Sequence, residues 1–360
     1  MEISYFLGAN SRDGFSSLYS GFAAGEGDRL HIIKGGPGTG KSGFMRKIGA
    51  AAEKRGLDVE YVLCSGDPDS LDGVYIPALK QGWVDGTAPH AAEPRCFGAD
   101  GDYVNLGGFC RLPLSSSDAG EIRRLNRAYK ALYDRAYAWL KATAAVRQGY
   151  LPQIDDSAIL EAAENRVCGI LRRHSRKKDC PGRVSRRYFS AISCRGELLL
   201  SGEIKKLCKL IYQLDDGMGL AGPALDAAVR EGLSRGLELI LCPSPLCPEE
   251  TEMLLIPEAS LALIRGCQTV EGARHIRLDA LVPGQRQKEL RGDLRAGRRL
   301  EKECMAAALE QLTKAKALHD RLEAVYRPYM DFEALTEFTD REICRIFSAP
   351  TGEVISKREE

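Results

Sequence analysis

GGPGTGKS, residues 35–42, is the stretch of this sequence best suited to chemistry. It fits G-x-x-x-x-G-K-[ST], with Gly35, Gly40, Lys41 and Ser42 at the defining positions. Glycines let successive backbone N–H groups turn inward and form a nest for anionic oxygens. A helix starting at the same point adds about half a positive charge. In such a loop Gly35, Gly36, Pro37, Gly38, Thr39, Gly40, Lys41, Ser42 and Gly43 wrap the phosphates of a nucleotide. Lys41 reaches the β- and γ-phosphates, and the Ser42 hydroxyl ligates Mg2+.

A phosphate loop works only between a strand and a helix, and the flanks supply both. RLHIIK, residues 29–34, reads as a buried parallel strand. After the loop, Phe44, Met45, Ile48, Ala51 and Ala52 recur at helical spacing, with Arg46, Lys47, Glu53 and Lys54 mostly on the other side. Nucleotide hydrolysis also needs a carboxylate at the end of a neighbouring strand to hold the magnesium water shell. Asp85, after Trp83 and Val84, is the candidate, expected to act with Lys41 in catalysis and with Ser42 at the metal. The bland alternative is a turn aspartate before Gly86. Asp67, Asp69 and Asp72 are further candidates, although Asp-Pro and Asp-Ser are common turn and cap chemistry. Thr87 and His90 follow Asp85 on the same loop, placed to sense a γ-phosphate or a water. No Glu adjoins Asp85, so no general base is identified.

The chain reads twice. At an offset near 180, RGLDVEYVLC (55–64) falls on RGLELILCPS (235–244), with Cys64 and Cys242 two residues out of step. VYIP (74–77) falls on LLIP (254–257), and YFLGA (5–9) resembles YFSAI (188–192). YLPQIDDSA (150–158) matches YRPYMDFEA (326–334), and RVCGIL (166–171) matches EICRIF (342–347). The loop then lands on DDGMGLAG, residues 215–222, where Ala221 replaces Lys41, Gly222 replaces Ser42, and Asp215 and Asp216 replace the leading glycines. Asp85 becomes Arg265. A triphosphate there would meet two carboxylates and no cation, a repulsion of about 1–4 kcal/mol for close charges near a surface. The rear loop therefore reads as dead, and the double sign change suggests an Arg265 pair with Asp215 or Asp216.

Each half ends in a long amphipathic helix. Ile122, Leu125, Tyr129, Leu132, Ala136, Leu140 and Ala144 form one stripe; Leu300, Cys304, Ala308, Leu312, Ala315, His319, Leu322 and Tyr326 form the other. The stripes are expected to pack within the molecule, with His319 a hydrogen-bonded core histidine. Each helix is followed by Tyr-x-Pro and a shorter helix. Between the halves, residues 171–187 hold eight Lys or Arg and one acid. That segment reads as a solvated linker, or alternatively as a strip for an anionic partner such as nucleic acid.

Bulk composition excludes several classes. Lys+Arg at 51 nearly cancel Asp+Glu at 50, so no global field points to nucleic acid or an anionic membrane. No apolar run approaches the ~18 residues needed to span a bilayer. The N-terminus lacks a signal-peptide pattern. Twelve cysteines without a CxxC pair fit reduced thiols and a cytoplasmic location, and neither they nor the five histidines show zinc spacing.

YFLGANSRDGF, KGGPGTGKS, DPDSLDG, IP, DGTAPH and NLG together resemble a bacterial family of tandem P-loop ATPase-like proteins over nearly the whole chain. The resemblance implies two homologous halves, ATP bound at Gly35–Ser42, and Asp85 and His90 in one site. The second half departs from the family pattern, since neither GKS nor DGTAPH survives there.

The expected fold is therefore α/β: two tandem P-loop NTPase-like domains with mostly parallel sheets and added helical hairpins, the second degenerate. Residues 1–175 form the active domain, 176–187 the linker, and 188–360 a pseudo-domain docked on the first. The second half or the linker would supply an arginine to the γ-phosphate. The first functional reading is a MgATP-binding ATPase that couples hydrolysis to conformational change. A small-molecule or nucleotide kinase, with the 115–150 helices as lid, and a nucleotide-sensing protein without turnover are the alternatives. A GTPase is disfavoured because no NKxD motif occurs.

Overall fold

The computed structural model describes residues 1–87, 93–94, 96–152, 154–266 and 268–348. The first half lays down β1 (Glu2–Phe6), β2 (Gly8–Ser11), β3 (Gly14–Ser17), β4 (Arg29–Lys34), helix α1 (Lys41–Glu53), β5 (Val59–Leu63), β6 (Leu71–Ile76), β7 (Gln81–Asp85) and β8 (Gly101–Asn105). Helices α2 (Ser116–Tyr150) and α3 (Ser157–His174) follow. The second half repeats the series as β9 (Arg183–Arg186), β10 (Ser190–Ser193), β11 (Gly196–Leu199), an extra helix α4 (Ser201–Leu207), β12 (Leu210–Asp215), α5 (Ala221–Ser234), β13 (Glu238–Pro243), β14 (Thr251–Ile256), β15 (Leu261–Arg265) and β16 (Arg274–Arg277), then α6 (Gly284–Tyr326) and α7 (Phe332–Ser348).

The front sheet runs β1-β5-β6-β7-β4-β8, and the rear sheet, read from its other edge, runs β9-β13-β14-β15-β12-β16. The two orders are the same. In each sheet one strand, β6 or β14, runs antiparallel to its neighbours and the rest are parallel. The architecture is thus α/β with mixed, mostly parallel sheets. Strand β4 carries two adjacent isoleucines because both its faces are covered. Ile32 and Ile33 are each fully buried, Ile33 towards α1 and Ile32 towards a core shared by residues of both sheets.

Small details repeat as well. Lys80 and Ser260 both take left-handed backbone, φ 52° and 50°, and each N–H closes a turn on the carbonyl of Pro77 or Pro257. The strand register slips at Val62/Leu63 in one sheet and at Cys242/Pro243 in the other. This equivalence pairs Cys64 with Ser244, whose N–H groups bond the Ser70 and Glu250 carbonyls, so Cys64 and Cys242 do not occupy equivalent positions.

Two expectations about the boundary between the halves need correction. The stretch 176–187 is not only a linker. Arg183–Arg186 forms β9, an exposed edge strand parallel to β13, and its RVSR sequence has no apolar alternation to announce it. The cut at residue 175 also separates α3 from its packing partners. Ile159, Ala163, Val167 and Leu171 bury against α5 and the rear sheet, whereas Leu335, Phe338, Ile346 and Phe347 of α7 pack with α1 and the front sheet. The halves exchange their last helices. Helices α2 and α6 lie against each other and carry the chain across, burying Ala136, Leu140, Ala308 and Leu312 in one cluster. Each fully buried Leu or Ile of the exchanged helices contributes roughly 1.5–3 kcal/mol to holding it there. No described helix is long and apolar enough to cross a membrane, and no disulfide joins the described cysteines.

Candidate functional site: two equivalent glycine-rich loops

The front loop joins β4 to α1. Gly38 and Gly40 take left-handed backbone, φ 71° and 85°, which turns the chain tightly into the first turn of α1. Lys41 Nζ donates to the Gly35 and Gly36 carbonyls, both at 2.9 Å, and lies 3.6 Å from Asp85 Oδ2. Thr39 is buried and its hydroxyl donates to Gly36 O at 2.8 Å. The ammonium is thus held by carbonyls of its own loop, and only 11% of the Lys41 side chain is exposed.

Asp85 ends β7, which lies directly beside β4 with Ile33 opposite Asp85. Its Oδ1 accepts from the Thr87 N–H at 2.8 Å and from the Thr87 hydroxyl at 2.6 Å, leaving Oδ2 towards Lys41. The Ser42 hydroxyl oxygen accepts from the Leu71 N–H at 2.9 Å. Gly43 lies within the first turn of α1, with nothing within 4 Å of where a β-carbon would sit. The alternative carboxylates are engaged elsewhere. Asp67 pairs with Lys316 at 3.4 Å, Asp69 pairs with Arg195, and Asp72 accepts from the Tyr19 hydroxyl at 3.1 Å. His90 lies outside the described residues.

Sequence reasoning missed what covers this loop. The C-terminal end of α6, from the other half, lies on it. Glu323 O and Cα sit 3.1 and 3.3 Å from where a β-carbon on Gly38 would be, and the Tyr326 ring approaches Gly36. Leu335 of α7 packs against Gly40. His319 is not a core residue. Its side chain is one-third exposed, its Nδ1 lies 3.7 Å from Glu323 Oε1, and its ring tilts on Tyr129. The Tyr-x-Pro repeat held the signal, because it makes Glu323 the counterpart of Arg147. Arg147 lies at the rear loop's side of the molecule, in a salt bridge with Glu301.

The rear loop has the opposite chemistry. Asp216 folds back on the start of α5, accepting from the Leu220 N–H at 2.7 Å and the Ala221 N–H at 3.0 Å. Both oxygens of Asp279 accept from the Gly217 N–H at 2.9 Å. Burial and the nearby Asp216 raise the Asp279 carboxyl above its ordinary value, against the lowering effect of the Gly217 N–H. Carboxylates of the chain itself thus take the amide donors a phosphate would need. The suggested Arg265 pairing is overturned. Arg265 forms its salt bridge with Glu250, Asp215 pairs with His275 at 2.8 Å, and Asp216 is spent on the helix. Glu250 precedes β14 and reaches the end of β15 across the sheet, a partner that loop alignment could not offer. The Arg265 guanidinium lies against Gly222, the counterpart of Ser42.

The basic segment is partly neutralised. Arg172 pairs with Glu231, Lys178 with Glu258, and Arg187 with Glu60 while stacking on Tyr5. Comparison with known proteins gives no match: no family model, curated protein or solved structure is similar to this chain.

Proposed function

We propose that the front loop binds MgATP and that the protein is an ATPase coupling hydrolysis to movement of its long helices. The observation that carries this is the Lys41 ammonium, fixed between two loop carbonyls and facing Asp85 from the adjacent strand. An ammonium has three donors, and two are already committed to orienting it. The residues fit magnesium: a hydroxyl at Ser42 and a carboxylate at Asp85 are hard oxygen donors of the kind that ion takes. Bound Mg2+ would neutralise charge on the phosphates.

Support for coupling comes from α6. It touches the front loop through Glu323 and reaches the rear loop through Arg298, which donates to Gly217 O at 3.1 Å. Those residues lie about 37 Å apart on a helix rising ~1.5 Å per residue. A change at the front loop would shift a strut that also braces the rear lobe.

Sensing without turnover is a second reading, favoured by Gly86 and Thr87 standing after Asp85 where many ATPases carry a Glu. Phosphate release from MgATP tests both. Release that depends on Lys41 supports an ATPase. Binding without release supports a sensor. ADP formed only after an acceptor is added, with the phosphoryl group on the acceptor and no free phosphate, supports a kinase. Absence of nucleotide binding removes all three.

A further inference from the structure

The rear lobe is filled at its loop but hollow beside it. A cavity of about 970 Å³ opens beyond the C-terminal ends of β12 and β15, the crevice where open α/β sheets hold ligands. Its walls are the β10–β11 hairpin, the rear loop, the 244–252 segment, the last turn of α2 and the 298–305 stretch of α6. Among the described residues nine carboxyl groups line it against four Lys or Arg. Two of those four are neutralised within the wall, Arg147 by Glu301 and Arg265 by Glu250. The Gly217, Leu220 and Ala221 amides of the loop are already taken by Asp279 and Asp216.

From this cavity and its charge we infer that the rear lobe binds a small organic cation, an amine or guanidinium compound, at Glu197 and Glu252. The Glu197 carboxylate, on β11, has no hydrogen-bond or ion-pair partner among the described residues and stands at the exposed side of the cavity wall, while its backbone carbonyl accepts from Gln268 Nε2 at 2.7 Å. Glu252 lies opposite on β14, where one oxygen accepts from the Ser190 hydroxyl. Leu246, Met253, Ile264, Met305 and the Tyr150 ring supply apolar wall for the carbon skeleton. Burial holds the Glu252 carboxyl above its ordinary value, and partial desolvation raises that of Glu197, which keeps one side open to solvent. A cation entering between them would relieve that penalty by giving the ionised forms a partner. The volume is at the upper end of the ~300–1,000 Å³ usual for small-molecule sites. The inference stands independently of the nucleotide proposal, since none of its residues belongs to the front loop.

The test is calorimetric titration of the full-length protein with spermidine, with agmatine and with inorganic triphosphate. At least one of the two cations is expected to bind once per chain with a Kd below about 1 mM. Glu197→Gln and Glu252→Gln should each weaken it about tenfold, the loss expected when a charged hydrogen-bond partner is neutralised. Lys41→Ala should leave cation binding unchanged, and no triphosphate should bind in that variant. Circular dichroism and a cooperative melting transition check that both glutamine variants fold. If one does not, the other carries the test. The inference is overturned if neither cation binds in that range, if binding is equally tight in the folded variants, or if triphosphate displaces the cation in Lys41→Ala.

Discussion

Two glycines of the same motif should respond to alanine in opposite directions. Gly38 has φ 71°, where any β-carbon costs about 1–2 kcal/mol. That β-carbon would also stand 3.1 Å from Glu323 O and 3.3 Å from Glu323 Cα, both backbone atoms that cannot swing aside. Overpacking of this kind costs about 1–3 kcal/mol. Gly38→Ala should therefore lose roughly 2–5 kcal/mol, part of it as detachment of the α6 end from the loop. Gly43 sits in α1 with nothing within 4 Å, and alanine there should add about 0.5–1 kcal/mol through helix propensity. Urea unfolding gives both signs. Hydrogen exchange over 319–330 should rise in Gly38→Ala only, and MgATP binding should weaken in Gly38→Ala while persisting in Gly43→Ala. Gly38→Ala with wild-type stability and unchanged exchange at 319–330 would refute the docking of α6 on the loop.

Other perturbations test separate parts of the account. Lys41→Ala removes the ammonium that meets the phosphates and should lower MgATP affinity by at least about 30-fold, measured with a fluorescent nucleotide. Asp216→Ala removes the acceptor for two α5 N–H groups and should cost about 1 kcal/mol in unfolding, without creating a second nucleotide site, because Ala221 offers no ammonium. Burial pushes the Glu252 carboxyl up to about 7 from 4.5. Between those values the folded state keeps a proton that the unfolded chain has released, so this group's contribution makes stability fall as pH rises through the window and level off above it. Glu252→Gln should flatten that part of the stability-versus-pH curve.

The sequence announced what is local and hid what is exchanged. GGPGTGKS is contiguous, and its strand and helix adjoin it, so the loop could be placed from residue types alone. Asp85 was legible because a short apolar run ends on it. The duplication was legible because turns with fixed backbone needs, such as Pro77–Lys80 and Pro257–Ser260, keep their spacing. The exchange of α3 and α7 was not. An amphipathic stripe says that a face is buried, and Ile159 or Leu335 would read the same against either sheet. Glu323 was invisible because its contact with Gly38 is made by backbone. Arg265 was misassigned because a loop alignment compares equivalent positions, whereas its partner Glu250 comes from the neighbouring turn. The rear cavity had no signature at all, since side chains from segments far apart in the chain leave it unfilled.

The most direct measurement of the central asymmetry is nucleotide stoichiometry by equilibrium dialysis with MgATP, in the wild type and in Lys41→Ala. The account predicts one nucleotide per chain in the wild type and none in the variant. Two per chain, none in the wild type, or one still bound without Lys41 would contradict it.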